Sequence, residues 1–179
     1  LRFDPAWAAR FLELLPKDTR AAQRLARQHD SRVQQAWLDI DRPRPLRHAI
    51  EIRHQSFADP AFVALLRKHN AALVVSDSTE DWPCFEDLSA DFVYLRLHGS
   101  KARYAGAYGD GALDRWAHRI LDWRSGGQPE DARLIVPDTP ARRRASREVF
   151  CYFDNDTKTE APFDAQRLIQ RLAPASASG

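Results

Sequence analysis

The stretch Asp91-Phe92-Val93-Tyr94-Leu95-Arg96-Leu97-His98-Gly99-Ser100 decides the fold. Val93, Leu95 and Leu97 alternate with Tyr94, Arg96 and His98, which sets the two groups on opposite faces of one strand. The apolar face predicts a covering of helices. An ordinary core strand has no use for Arg and His at its end, but in a parallel α/β protein the C-terminal ends of strands are where ligand chemistry collects.

Working outward, Phe150-Cys151-Tyr152-Phe153-Asp154-Asn155-Asp156 has the same design, an apolar run ending in polar residues. Upstream, Ala71-Ala72-Leu73-Val74-Val75 ends in Ser76-Asp77, and Ala49-Ile50-Glu51-Ile52-Arg53 leads into His54-Gln55-Ser56-Phe57. Between these strands the spacing turns helical. Asp59-Pro60 starts a helix that carries Phe62, Val63, Leu65 and Leu66. Leu113, Trp116, Ala117, Ile120 and Leu121 recur behind Asp110 as an expected cap, and Ser125-Gly126-Gly127 ends that helix. A closing helix is predicted over 162–172. The succession predicts an α/β fold with a parallel sheet and right-handed crossovers.

At the front, Asp4-Pro5 signals a helix with the stripe Trp7, Ala8, Phe11, Leu14 and Leu15; a polar helix is predicted over 18–28 and a short strand within 33–40. The segment 128–147, rich in Pro, Asp and Arg, reads as an irregular or mobile insertion, and 174–179 as a disordered tail. One domain is expected over 1–173, with the insertion at about 126–147.

Composition narrows the classes. With 179 residues and 44% hydrophobic content the chain suits one domain with a substantial core. No run approaches the roughly 20 apolar residues of a membrane span, and no signal-peptide layout opens the chain, so a cytoplasmic location without membrane association is expected. Two cysteines support neither a disulfide framework nor a Cys-based zinc site. A net charge of +2, with arginines dispersed among acids, does not identify a nucleic-acid binder. The chain has no methionine, which predicts sequence upstream of Leu1.

At Glu51-Ile52-Arg53-His54-Gln55-Ser56-Phe57, Tyr94-Leu95-Arg96-Leu97-His98-Gly99 and Tyr152-Phe153-Asp154-Asn155-Asp156, the chain resembles the family called domain of unknown function 72, also known as YecE-like. Tyr104, Tyr108, Leu113-Asp114-Arg115-Trp116 and Ala161-Pro162-Phe163-Asp164-Ala165 extend the likeness, especially to high-GC bacterial members. The resemblance implies a TIM-barrel-like fold whose strands five to eight are the four strands here. The glycine-rich first strand and the next three have no counterpart, so an incomplete barrel is expected. Four strands cannot close as eight do, which leaves two edges and one side of the core uncovered. The leading expectation is a fragment of a longer protein; self-association and a missing barrel half supplied by another chain are the alternatives. The resemblance implies no established reaction.

The strand alternation turns Glu51 and Arg53 to the same side as Arg96 and His98, and as alternate barrel strands they would share layers. Buried charge needs partners. Either these residues form an internal network, or they receive an anionic small molecule, carboxylate- or phosphate-bearing, which arginine binds with a planar fork of donors. Candidate ligand-binding residues are Arg53, Arg96, Gly99, Tyr104, Tyr108, Asp154 and Asn155, because the glycine-rich loop 99–109 follows the strand whose loop often holds phosphate in barrels. Candidate catalytic residues are Glu51, His54 and His98; His54 with Ser56 gives a nucleophile–base pair in sequence only. Asp77 and Asp154, with Glu51 and His98, lie at or near four strand ends and keep open a metal-assisted hydrolase acting on phosphodiester or sugar substrates, yet no compact ligand motif assigns a metal or other cofactor. An inactive truncated chain is the third reading. Arg142-Arg143-Arg144 with Arg147 is a weak nucleic-acid signal, since no aromatics are interleaved.

Overall fold

The computed structural model describes residues 1–78, 82–99, 106–155 and 159–173. Four strands form one sheet in the order β1-β2-β3-β4, every neighbouring pair parallel: β1 Ala49–Ile50, β2 Ala72–Asp77, β3 Phe92–Leu97 and β4 Glu148–Phe153. Helices α1 Pro5–Leu14 and α2 Thr19–Ala26 precede the sheet. Helix α3 Pro60–His69 connects β1 to β2, α4 Asp110–Arg124 connects β3 to β4, and α5 Glu160–Leu172 follows β4.

The helix starts are those the sequence announces. Asp4, Asp18 and Asp59 accept from Trp7 N at 2.8 Å, Ala21 N at 2.7 Å and Ala61 N at 2.8 Å, satisfying amides that have no intrahelical partner. Asp110 is an exception. It is the first helical residue of α4, behind an N-cap at Gly109 that makes no side-chain bond, and it accepts from Arg167 at 2.8 Å and Arg171 at 2.5 Å of α5.

Packing follows the alternation. Val93, Leu95 and Leu97 are buried against Leu113, Ala117, Ile120 and Trp123 of α4 and Leu168 of α5. Each such side chain contributes about 1.5–3 kcal/mol of burial. Ile52 joins Leu12 of α1 and Phe62 and Leu66 of α3 in a second cluster. The opposite face is concave. Register partners share a face, so Val74, Tyr94 and Phe150 form one inner row and Ser76, Arg96 and Tyr152 the next. Arg47, just before β1, lies over the rings of Phe92 and Phe150, each at 4.8 Å, and reaches Glu148 of β4 at 2.5 Å. Curvature brings the two ends of the sheet within one side chain's reach.

Two expectations change. Residues 33–40 form no strand: Leu38 O accepts from Gln23 at 2.6 Å, Val33 N donates only locally to Asp30 O at 3.2 Å, and Trp37 is 88% exposed. A strand needs a neighbour, and the bridge nearby pairs Asp18 with Pro45 instead. The insertion, read as irregular or mobile, is firmly pinned. No helix is seen among the described residues between β2 and β3; the extended stretch 82–91 runs there, and the insertion lies along it. Asp87 accepts from Ile135 N at 2.7 Å and Val136 N at 3.0 Å, Glu86 N donates to Arg133 O at 2.8 Å, and Arg67 of α3 donates to Thr139 O at 2.8 Å. Gly126 hinges the insertion at φ +81°, so close to Arg144 that a Cβ would stand 1.7 Å from its carbonyl oxygen.

Candidate functional site

Glu51 follows β1 and projects onto the inner face, where it gathers residues from three other places in the chain. Its Oε1 accepts from Ser76 Oγ at 3.0 Å and lies 2.9 Å from His98 Nε2; its Oε2 accepts from Arg96 at 2.6 Å and Arg53 at 3.2 Å. Arg96 also pairs with Asp154 at the end of β4. His98 is fully buried, with Nδ1 3.4 Å from Asp154 Oδ2. Because an ionised carboxylate only accepts, Nε2 carries the hydrogen toward Glu51. The Trp82 ring stands edge-on to His98 at 5.6 Å, and Arg53 lies 4.1 Å above that ring.

The electrostatics are those of a held network. Burial pushes the Glu51 carboxyl up, but hydrogen bonds from His98 and Ser76 and the Arg96 charge outweigh it and hold the group below the ordinary carboxylate value. For Arg96 burial acts downward, and the charges of Glu51 and Asp154 raise it beyond its usual value. Glu51 and Asp154 thus cancel Arg53 and Arg96. The convergence of Glu51, Arg53, Arg96 and His98 expected from alternation is present, with Asp154 added to it.

Other expected residues stand behind the mouth. Tyr108 is buried with its hydroxyl donating to Asp77 Oδ2 at 3.1 Å and accepting from Gly99 N at 3.0 Å. Burial and the Asp77 charge raise that phenol well above its usual range. Asp77 also accepts from Trp116 Nε1 at 3.2 Å, on the helical side of the sheet, so it does not join Glu51, His98 and Asp154. Among the described residues no group of three or more His, Cys, Asp or Glu is arranged to hold a metal ion. Fully buried Asn155 donates to Gly106 O at 3.1 Å and Asp164 Oδ2 at 2.8 Å, and Asp164 accepts from Tyr108 N at 2.8 Å. Gly99, at φ +119°, and the Gly106 to Tyr108 turn are therefore fixed as the two ends of the loop. Tyr104 lies outside the described residues.

His54 caps the 3₁₀ turn Gln55–Phe57: its Nδ1 accepts from Ser56 N at 3.0 Å and lies 2.8 Å from Ser56 Oγ, which itself accepts from Phe3 N at 2.8 Å. The pair fixes a turn and the entry to α1. Cys84 and Cys151 are free thiols, each pushed up to about 12 by burial, which suits neither to nucleophilic attack. Sequence reasoning missed Ser76, Trp82 and Arg47 at the mouth. Alternation from Val74 flags Ser76; no local signal flags Trp82 or Arg47, whose positions depend on tertiary packing.

A parallel sheet open on its concave side, with its charged cluster at the strand ends, sets the terms for comparison. The family described as "Protein of unknown function DUF72" matches residues 6–178. The chain belongs to the DUF72 family. A DUF72 protein from Thermotoga maritima is similar in structure, with a TM-score of 0.56 and 22% identity over 72% of this chain and 46% of that one. A DUF72 protein from Enterococcus faecalis V583 is similar in two crystal structures, at TM-scores of 0.54 and 0.53 and identities of 17% and 19%, covering 88% and 73% of this chain and 53% and 50% of that one. The chain therefore spans about half the length of these solved DUF72 relatives, whose likeness concerns the fold. No curated protein matches. The DUF72 neighbours are TIM-barrel-like, and the four parallel strands here are an incomplete version of that architecture. No described helix is long and apolar enough to cross a membrane.

Proposed function

We propose that this DUF72 chain binds an anionic ligand, phosphate- or carboxylate-bearing, at the strand ends on the concave face of the sheet. A concavity of about 640 Å³ lies there, lined by Arg47, Arg96, Tyr94, Tyr152, Glu51 and Asp154 among others. The observation that carries the reading is the state of Arg96. Two carboxylates hold its guanidinium across the concave face, yet its side chain keeps 28% of its exposure and the fork has five N–H donors, not all engaged. Arg53 is half exposed beside it. The stacked rings of Tyr94 and Tyr152, 5.1 Å apart, add a flat apolar shelf for a ring-bearing ligand. An incoming anion would replace Asp154 on Arg96 and so free that carboxylate.

Inorganic phosphate titrated calorimetrically at constant ionic strength tests the reading. Arg53→Ala should weaken binding roughly tenfold, as loss of one charge-assisted bond does, at a stability cost of no more than about 1 kcal/mol. Absence of saturable binding to the parent, or binding unchanged in both Arg53→Ala and Arg96→Lys, would overturn it.

The hydrolase reading draws support from a different observation, His98 buried between Glu51 and Asp154, which is a route for a proton between two carboxylates. Turnover of phosphodiester or glycoside substrates that is lost in His98→Gln, and lost on chelation if a metal assists, would favour it. We place the protein in the cytoplasm, in keeping with two unpaired cysteines. We assign the two unpaired sheet edges to a complementary half barrel, since a parallel sheet is ordinarily covered on both faces. Light scattering of the chain alone checks this: a dimer identifies the second half as another copy, and a monomer assigns it to a different polypeptide segment.

A further inference from the structure

A second cleft, of about 760 Å³, runs between one face of α4 and the insertion, and it shares no lining residue with the concavity at the strand ends. Arg147 sits in it. This side chain is 5% exposed, and among the described residues its donors go only to backbone carbonyls: Gly126 O at 2.7 Å, Gly127 O at 3.5 Å and Arg142 O at 2.7 Å. Its Nε is buried without a partner. No carboxylate among the described residues pairs with it; burial and the like charge of Arg144 both act to lower its pKa, and an arginine nevertheless stays charged. A buried charge with no counter-ion is expensive, and the cheapest remedy is an anion in the adjoining space.

The rest of the cleft fits such a guest. Four arginines and three acids line it. Arg119 is committed to Asp131 at 2.7 Å and to Glu86 at 3.4 Å. Arg115 of α4 and Arg143 of the insertion are exposed on the cleft walls. We propose that this cleft is a second binding site, taking a phosphate-class oxyanion with Arg147 as the buried anchor and Arg143 and Arg115 closing on it from the two walls. Binding there would neutralise Arg147 and clamp the insertion onto α4.

The test is independent of the strand-end site. Phosphate is titrated into the intact chain carrying Arg53→Ala, with ³¹P line broadening as the readout and chloride as the ionic-strength control. A saturable event is expected to persist in this background and to weaken roughly tenfold or more on adding Arg143→Ala or Arg115→Ala, exposed positions whose loss leaves the fold intact. Arg147→Lys, which keeps the charge and removes the fork, should weaken it as well. No saturable event in the Arg53→Ala background, or one that neither wall substitution changes, overturns the proposal. Loss of phosphate binding through Arg53→Ala alone would uphold the strand-end site and reject this one.

Discussion

Arg96 donates to Glu51 at 2.6 Å across 45 residues of chain, so the end of β3 is tied to the edge of the sheet beyond β2. The Glu51 side chain is only 13% exposed and holds the charges of two strand ends together. Glu51→Ala should therefore cost about 3–5 kcal/mol, the range for removing one partner of a buried ion pair. Chemical denaturation measures it. Arg53→Ala, at the half-exposed rim of the same cluster, should cost about 0–1 kcal/mol.

The lowered Glu51 pKa also sets an acid limit. A carboxyl whose folded pKa lies below its unfolded value contributes stability that is fully present above the unfolded value, about 4.3, and is lost as pH falls through the folded one. Glu51→Gln removes this contribution. The stability gap between parent and Glu51→Gln should thus narrow as pH is taken from 6 towards 3, as read from denaturation midpoints.

Asp77 has the opposite sign. Burial, only partly offset by hydrogen bonds from Tyr108 and Trp116, raises its carboxyl above the ordinary value. Its contribution is present below the unfolded pKa and fades as pH rises through the folded one. Asp77→Asn keeps an acceptor for both donors and is neutral throughout. Relative to the parent it should gain stability as pH rises from about 4 to 7, and thermal melts across that range would show it.

Gly126→Ala should be among the more damaging single-methyl changes in this chain. The residue lies at φ +81°, and the new Cβ would collide with Arg144 O at 1.7 Å. The left-handed conformation alone costs roughly 1 kcal/mol, and relief of the clash must move backbone. We expect a loss of about 2–4 kcal/mol, accompanied by faster amide exchange at Ile135 and Val136 as the insertion loosens.

The fold was legible where burial has a period. The alternation of Val93, Leu95 and Leu97 announced which face meets α4, and Asp-Pro pairs announced two helix starts. Within the candidate site the same parity brought Glu51, Arg53, Arg96 and His98 together, because alternation carries direction. It did not announce Trp82 on His98, or the Asp164 carboxylate beneath Asn155 and Tyr108, because those contacts depend on where irregular segments land. Nor did the composition of 128–147 disclose its anchoring. It is held by its own backbone amides and carbonyls, which every residue carries, and the signal lies in Glu86 and Asp87 far upstream.

That anchoring has a consequence for how the chain acquires its shape. Asp87 must wait for partners 48 and 49 residues further on, and Glu86 for one 47 residues on. At about 5–20 residues per second a ribosome takes roughly 2–10 seconds to supply them, and during that interval the 82–91 stretch lacks the insertion that lies along it. Helix α4 forms from local sequence in microseconds, whereas the lid closes a long loop and cannot lead. The insertion is therefore a late-arriving seal, and its closure marks the step at which the link between β2 and β3 is fixed against α3.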